Sequence, residues 1–132
     1  MAKYVYPAIF SKEENGLYSI VFPDFEACFT QGDDIQNGLF MANDVLCLTL
    51  YGMEENGESI PKPSEPLAIK VKSNEFVTLV GCDTLEYRKF YENKAVKKTL
   101  TIPSWLNTMA EKEDINFSQV LQEALKDKLK LQ

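Results

Sequence analysis

Hydrophobic and polar positions along the chain predict its elements in order. Residues 4–10, Tyr-Val-Tyr-Pro-Ala-Ile-Phe, are aromatic and β-branched and predict a strand, with Pro7 pointing to an edge position or a bulge. The polar stretch 12–16 ends in the turn dipeptide Asn15-Gly16. Residues 17–22, Leu-Tyr-Ser-Ile-Val-Phe, follow as a second strand, so the two read as a hairpin. Pro23-Asp24 breaks it, and residues 27–30 predict a short third strand ending at Gly32. Asp33 or Asp34 is placed to cap a helix starting near Ile35. The apolar positions Ile35, Leu39, Ala42, Leu46, Leu50 and Met53 recur at helical steps, and Phe40, Val45 and Leu48 widen the stripe. Residues 61–66 hold three prolines and predict an extended loop. A short candidate strand at 68–72 and a stronger one at 76–83 follow. The order β-β-β-α-β is met most simply by a small sheet covered by one helix. Residues 84–98 are charged and predict no element, only a linker into a second unit.

Beyond that linker the pattern changes. Residues 96–102 alternate, placing Val96, Lys98, Leu100 and Ile102 on one face and Lys97, Thr99 and Thr101 on the other. Pro103 stops the strand and suits the first position of a helix running to Lys112, with Leu106, Met109 and Ala110 inward. Residues 113–115 turn the chain. Asn116 is an N-cap, with Gln119 at capping-box spacing, for a second helix from Phe117 to about Leu129 whose apolar face is Phe117, Val120, Leu121, Ala124, Leu125 and Leu129. One strand and two short helices cannot close a core, because both strand edges stay unpaired and roughly 35 residues is too short to fold alone. Two copies pairing their strands as an antiparallel ribbon would close it. The outer face of that ribbon would carry Lys97, Thr99 and Thr101 from each chain, which suits the DNA major groove. Asn116, Phe117 and Ser118 would offer backbone N–H groups to a phosphate at the helix start. The competing reading is a helical hairpin docked back on the N-terminal sheet; the strand, its proline stop and its polar outward positions favour the ribbon.

Composition narrows the chemistry. The 132 residues are 45% hydrophobic and 26% charged, a globular composition. The chain has no histidine, which excludes Ser–His–Asp and Cys–His catalytic units. Cys28, Cys47 and Cys82 have no CxxC spacing, so buried free thiols are expected, with no metal site and no cofactor. With no long apolar run and no signal-peptide core, a soluble cytoplasmic protein without membrane contact is expected. The net charge of −6 argues against nucleic-acid binding until it is divided. Residues 1–93 hold 7 basic and 15 acidic side chains, a net of −8, and residues 94–132 hold 7 basic and 5 acidic, a net of +2. Such asymmetry points to two parts with different partners.

The run Lys97-Lys98-Thr99-Leu100-Thr101-Ile102-Pro103, then Trp105-Leu106, then Asn116-Phe117-Ser118-Gln119-Val120-Leu121, resembles a ribbon-helix-helix DNA-binding domain. Tyr6-Pro7-Ala8-Ile9-Phe10, then Gly16 to Asp24, then Cys28-Phe29-Thr30-Gln31-Gly32-Asp33, resembles the HicB family of antitoxins. The resemblance implies an α+β chain. Residues 1–90 would form a partial ribonuclease H-like sheet with one main helix that binds a small HicA toxin, an mRNA-cleaving ribonuclease. Residues 94–132 would form a dimeric ribbon-helix-helix domain that binds operator DNA and represses its own operon. Higher-order assembly with toxin would follow from the homodimer. The chain departs from the family in carrying Glu26-Ala27 where a Pro-Gly pair usually precedes the cysteine of the third strand, so the turn there is built differently.

For the toxin, the −8 charge is the physical lead, since a protein that grips RNA is basic. Asp24, Phe25 and Glu26 place an aromatic between two carboxylates in the loop after the second strand and are the candidate contacts. No catalytic residue is expected. Two-metal nuclease chemistry needs clustered carboxylates, the first strand carries none, and Asp24, Glu26, Asp33, Asp44 and Asp83 are scattered in sequence. The alternative function is a ribbon-helix-helix transcriptional regulator whose N-terminal domain senses a ligand.

Overall fold

Aromatic and β-branched residues carry the first strand past its expected ends: β1 spans Lys3–Lys12 in the computed structural model, which describes residues 2–131. It pairs antiparallel with β2 (Tyr18–Val21) through a turn in which Gly16 takes φ +86°, a conformation that costs glycine little. β3 (Phe29–Gly32) adds to β2, and β4 (Glu75–Asp83) pairs with β1 over Lys3 to Ser11. The sheet order is β3-β2-β1-β4, every neighbour antiparallel. Pro7 sits where β1 has only β4 beside it, because pairing with β2 begins at Ile9. The strand is central, yet locally an edge at its proline.

Alternation gives the sheet one closed face. Tyr6, Ala8, Phe10, Ile20, Val80 and Cys82 point inward, joined by Phe22 just past β2, and α1 (Ile35–Glu55) lays Ala42, Leu46, Cys47 and Leu50 on them. Burying each large aliphatic or aromatic side chain contributes about 1.5–3 kcal/mol. Asp34 caps α1, its carboxylate accepting from the Asn37 N–H at 2.7 Å. The helix seats closely because glycines face each other: a Cβ on Gly32 would lie 2.4 Å from the Gly38 Cα, and one on Gly38 would lie 2.9 Å from Phe10. The register sets Val5, Ile9, Val21, Phe29, Val77 and Leu79 on the opposite face of the sheet, where Val5, Val21, Phe29 and Leu79 are exposed. All three cysteines are free and buried.

Three sequence expectations are corrected, and a fourth element lacks its partner in the single chain. Residues 68–72 form no strand. The segment instead makes a 3₁₀ turn, Pro66–Ala68, with Pro66 at its start and Glu65 as its cap. Part of the supposed linker is helical: α2 (Thr84–Tyr91) is capped by Asp83, which accepts from Leu85 N and Glu86 N. The strand expected at 96–102 is not formed in the single chain, where residues 93–103 carry no regular secondary structure; a strand has no ladder without a partner. Pro103 is the N-cap residue of α3 (Ser104–Lys112) and not its first helical residue.

The chain divides into two units, one up to Lys94 and one from Ala95. The second unit holds α3 and α4 (Phe117–Lys128), joined by a turn in which Asp114 takes φ +52°. Among the described residues no helix is long and apolar enough to cross a membrane.

Gly32→Ala is expected to destabilise the first unit by about 1–3 kcal/mol, because the added methyl meets backbone that cannot move aside. Gly52→Ala, in α1 with nothing within 4 Å of the new Cβ, is expected to stabilise it by about 0.5–1 kcal/mol. Urea unfolding of the two variants checks both signs.

Candidate functional site

The second unit leaves its apolar side chains uncovered. Leu100, Ile102, Trp105, Leu106, Met109, Phe117, Val120 and Leu125 are all exposed, Trp105 at 63%. Lys97, Thr99 and Thr101 are exposed as well, on a segment without a ladder. Asn116 caps α4 as expected, its side chain accepting from Gln119 N at 3.0 Å. The reciprocal half of the capping box is absent: the Gln119 amide donates to Glu123 at 3.3 Å. Phe117 and Ser118 are the first two residues of α4, so their N–H groups have no carbonyl one turn earlier to bond. The Ser118 hydroxyl accepts from Gln122 at 3.3 Å.

In the first unit, Asp24, Phe25 and Glu26 are neighbours with different environments. Asp24 accepts from the Ser64 N–H at 3.1 Å and from its hydroxyl, tying the proline-rich loop to the end of β2. Phe25 lies edge-on to Tyr6 at 4.8 Å, half-buried against the core. Glu26 is exposed. Two of the three therefore hold the loop in shape, and one stands free on the surface. Among the described residues no three acidic or thiol side chains gather closely enough to hold a metal ion.

The sequence reading missed a site where α1 meets α2. Glu54 is almost fully enclosed. It accepts from Tyr4 Oη at 2.8 Å, Thr84 Oγ1 at 3.0 Å and Arg88 Nη2 at 3.3 Å. Burial raises the pKa of Glu54, but hydrogen bonds including these three outweigh it and hold the carboxyl below its ordinary value. Tyr4 is pushed up to about 12 by burial and by Glu54. Arg88 also pairs with Glu55 and Glu92 and stacks 4.5 Å above the Tyr51 ring. Around it Tyr51, Tyr87, Tyr91 and Phe90 form a chain of rings, with centroids 5.5, 4.5 and 4.8 Å apart in that order. The Tyr51 hydroxyl donates to Glu92. Signals for this helix were present: Asp83 with Glu86 at capping-box spacing, Tyr87 with Tyr91 and Arg88 with Glu92 at i,i+4.

Comparison with known proteins gives a consistent picture. The family described as HicB-like antitoxin of bacterial toxin–antitoxin systems matches residues 6–125. An uncharacterised 14.9 kDa protein from the rep-hol intergenic region of Haemophilus phage HP1 is 29% identical over 106 residues, covering 77% of this chain and 75% of its own. Among solved structures, a chain of a toxin–antitoxin complex from Streptococcus pneumoniae is 31% identical. It matches 96% of this chain and 99% of its own, with a TM-score of 0.63. The crystal structure of antitoxin HicB3 is 26% identical over 95% of this chain and 97% of its own, with a TM-score of 0.51.

The Glu54 cluster contributes to the pH dependence of the first unit's stability. The folded pKa of Glu54 is depressed, so its contribution is present above 4.5 and lost as pH falls through the folded value. The folded pKa of Tyr4 is raised, so its contribution is present below 10.0 and lost as pH rises toward about 12. Unfolding free energies measured across pH should show a shallower acid limb in Glu54→Gln and a shallower alkaline limb in Tyr4→Phe. At neutral pH, Glu54→Gln should cost on the order of 2 kcal/mol, since it leaves Arg88 short of a partly buried partner.

Proposed function

Because the chain belongs to the HicB-like antitoxins of bacterial toxin–antitoxin systems, an antitoxin family and not an enzyme family, we propose that it neutralises a HicA-type, mRNA-cleaving toxin and represses its own operon. Residues 1–90 are the toxin-binding domain, and residues 94–132 are a ribbon-helix-helix domain for DNA binding and dimerisation. The reading places the protein in the cytoplasm, where both mRNA and operator are found.

One observation carries the second half of this reading: the apolar side of the second unit, from Leu100 to Leu125, is uncovered in the single chain. Exposed apolar area of that extent marks an interface. A second copy covers it economically, because pairing residues 96–102 antiparallel gives each strand its missing partner and buries Val96, Leu100 and Ile102 against the helices. The same pairing turns Lys97, Thr99 and Thr101 outward as a ribbon for base edges in the major groove. The start of α4 at Asn116, Phe117 and Ser118 then receives a backbone phosphate. Lys98 lies on the inner face by alternation, though its long stem lets the ammonium reach a phosphate.

The first half rests on charge. The acidic first unit is complementary to an RNA-gripping partner, and a toxin covered by it cannot hold its substrate. Glu26 is the surface member of the expected contact set, while Asp24 and Phe25 support its loop. The order β3-β2-β1-β4 under one long helix is the basis for a reduced ribonuclease H-like reading of this unit, with a first strand free of carboxylates.

The reading makes two checkable statements. The adjacent reading frame encodes a small basic protein whose cleavage of RNA stops when this chain is added in equimolar amount; continued cleavage contradicts the antitoxin role. Replacing Lys97, Thr99 and Thr101 together with alanine abolishes the operator shift in gel electrophoresis, each base contact being worth about 1–3 kcal/mol, while dimers and toxin capture persist. Loss of dimers instead would show that the strand faces are reversed.

A further inference from the structure

We propose that the aromatic cluster between α1 and α2, with Phe90 and Tyr91 exposed and Tyr51 and Tyr87 half-buried within a carboxylate rim, is a surface that docks the basic toxin, in addition to the Glu26 loop. The proposal rests on the antitoxin reading above and assigns it a place that the sequence did not suggest.

Phe90 is 74% exposed and Tyr91 59%, on a helix that otherwise holds its place through Asp83, Thr84 and Arg88. Large aromatics stacked on one another in water, with polar groups around them, mark an interaction surface and supply most of the binding energy where one forms. The chemistry of the cluster selects the partner. Its rings already accept a guanidinium, as Arg88 over Tyr51 demonstrates. That cation is spent internally on Glu54, Glu55 and Glu92, and Lys89 is paired with Glu86 at 3.2 Å. With Glu54 enclosed, the surface carboxylates of α1 and α2 here, Glu55, Glu86 and Glu92, still outnumber Arg88 and Lys89. Burial and then the charge of Asp44 raise the pKa of Tyr87. An aromatic floor inside a net-negative rim fits arginine and lysine side chains of a basic protein, by charge and by cation–π contact. The same rim opposes a second copy of this unit, since like charges would face each other across the contact. Phe29 and Leu79, on the open face of the sheet, form the competing apolar surface, but among the described residues Phe29 stacks on no other ring.

The test uses the full chain and the toxin encoded beside it, in a catalytically inactive form. Binding is measured by calorimetry, with circular dichroism to confirm folding. Phe90→Ala with Tyr91→Ala should weaken toxin binding at least tenfold. Glu86→Lys, a surface reversal, should slow association and flatten its salt dependence. Operator binding should be unchanged in both, and Leu79→Ser should bind toxin as the unaltered chain does. Unchanged toxin affinity in the ring and charge variants, or weakening in Leu79→Ser alone, overturns the assignment while leaving the antitoxin reading intact. Failure of the unaltered chain to bind toxin overturns both.

Discussion

The first unit depends on the close approach of α1 to the sheet at Gly32 and Gly38. Two backbones lie so near that neither position has room for a methyl group. The contact brings the helix down on Phe10 and Ile20, so Ala42, Leu46 and Leu50 reach a floor instead of spanning a gap. It also fixes where the far end of a 21-residue helix lies. Because α1 is seated, Asn43 reaches the Gly81 carbonyl at 2.5 Å and Glu54 arrives where Tyr4, Thr84 and Arg88 converge. Seating the helix thus positions α2, and with α2 the rings that surround Arg88.

The two units solve the same surface problem differently. The first encloses its core within one chain and turns an acidic, partly aromatic exterior to its surroundings. The second leaves aliphatic and aromatic side chains in water on α3, α4 and the segment before them. The division of charge follows the same line. In the proposed assembly the acidic part meets a basic protein, the basic part meets DNA, and a dimer doubles the positive charge on one ribbon.

Elements whose pattern is set locally were legible in the sequence. The hairpin shows in Asn15-Gly16 between aromatic runs, α1 in its apolar steps from Ile35 to Met53 and its Asp34 cap, and α4 in Asn116. What depends on distant partners was not. Residues 68–72 have the composition of a strand but no neighbour to pair with, so a proline-led turn forms instead. The helix α2 carries a local cap signal in Asp83 and Glu86, but its charges look like a linker until Glu54 and Glu55 of α1 are known to face Arg88. The role of Asp24 in holding Ser64 was equally out of reach, forty residues of sequence separating the pair. Residues 96–102 have the alternation of a strand, and their partner would be another molecule, which no reading of one chain can display.

Hydrogen–deuterium exchange of the full chain, followed across a hundredfold range of protein concentration, addresses the central claim that 132 residues make one complete domain and half of another. Protection of amides 96–102 and of α3 and α4 should rise with concentration, while β1 to β4 and α1 keep the same protection throughout. Concentration-independent protection in the second unit, in a chain that sediments as a monomer, would contradict the account.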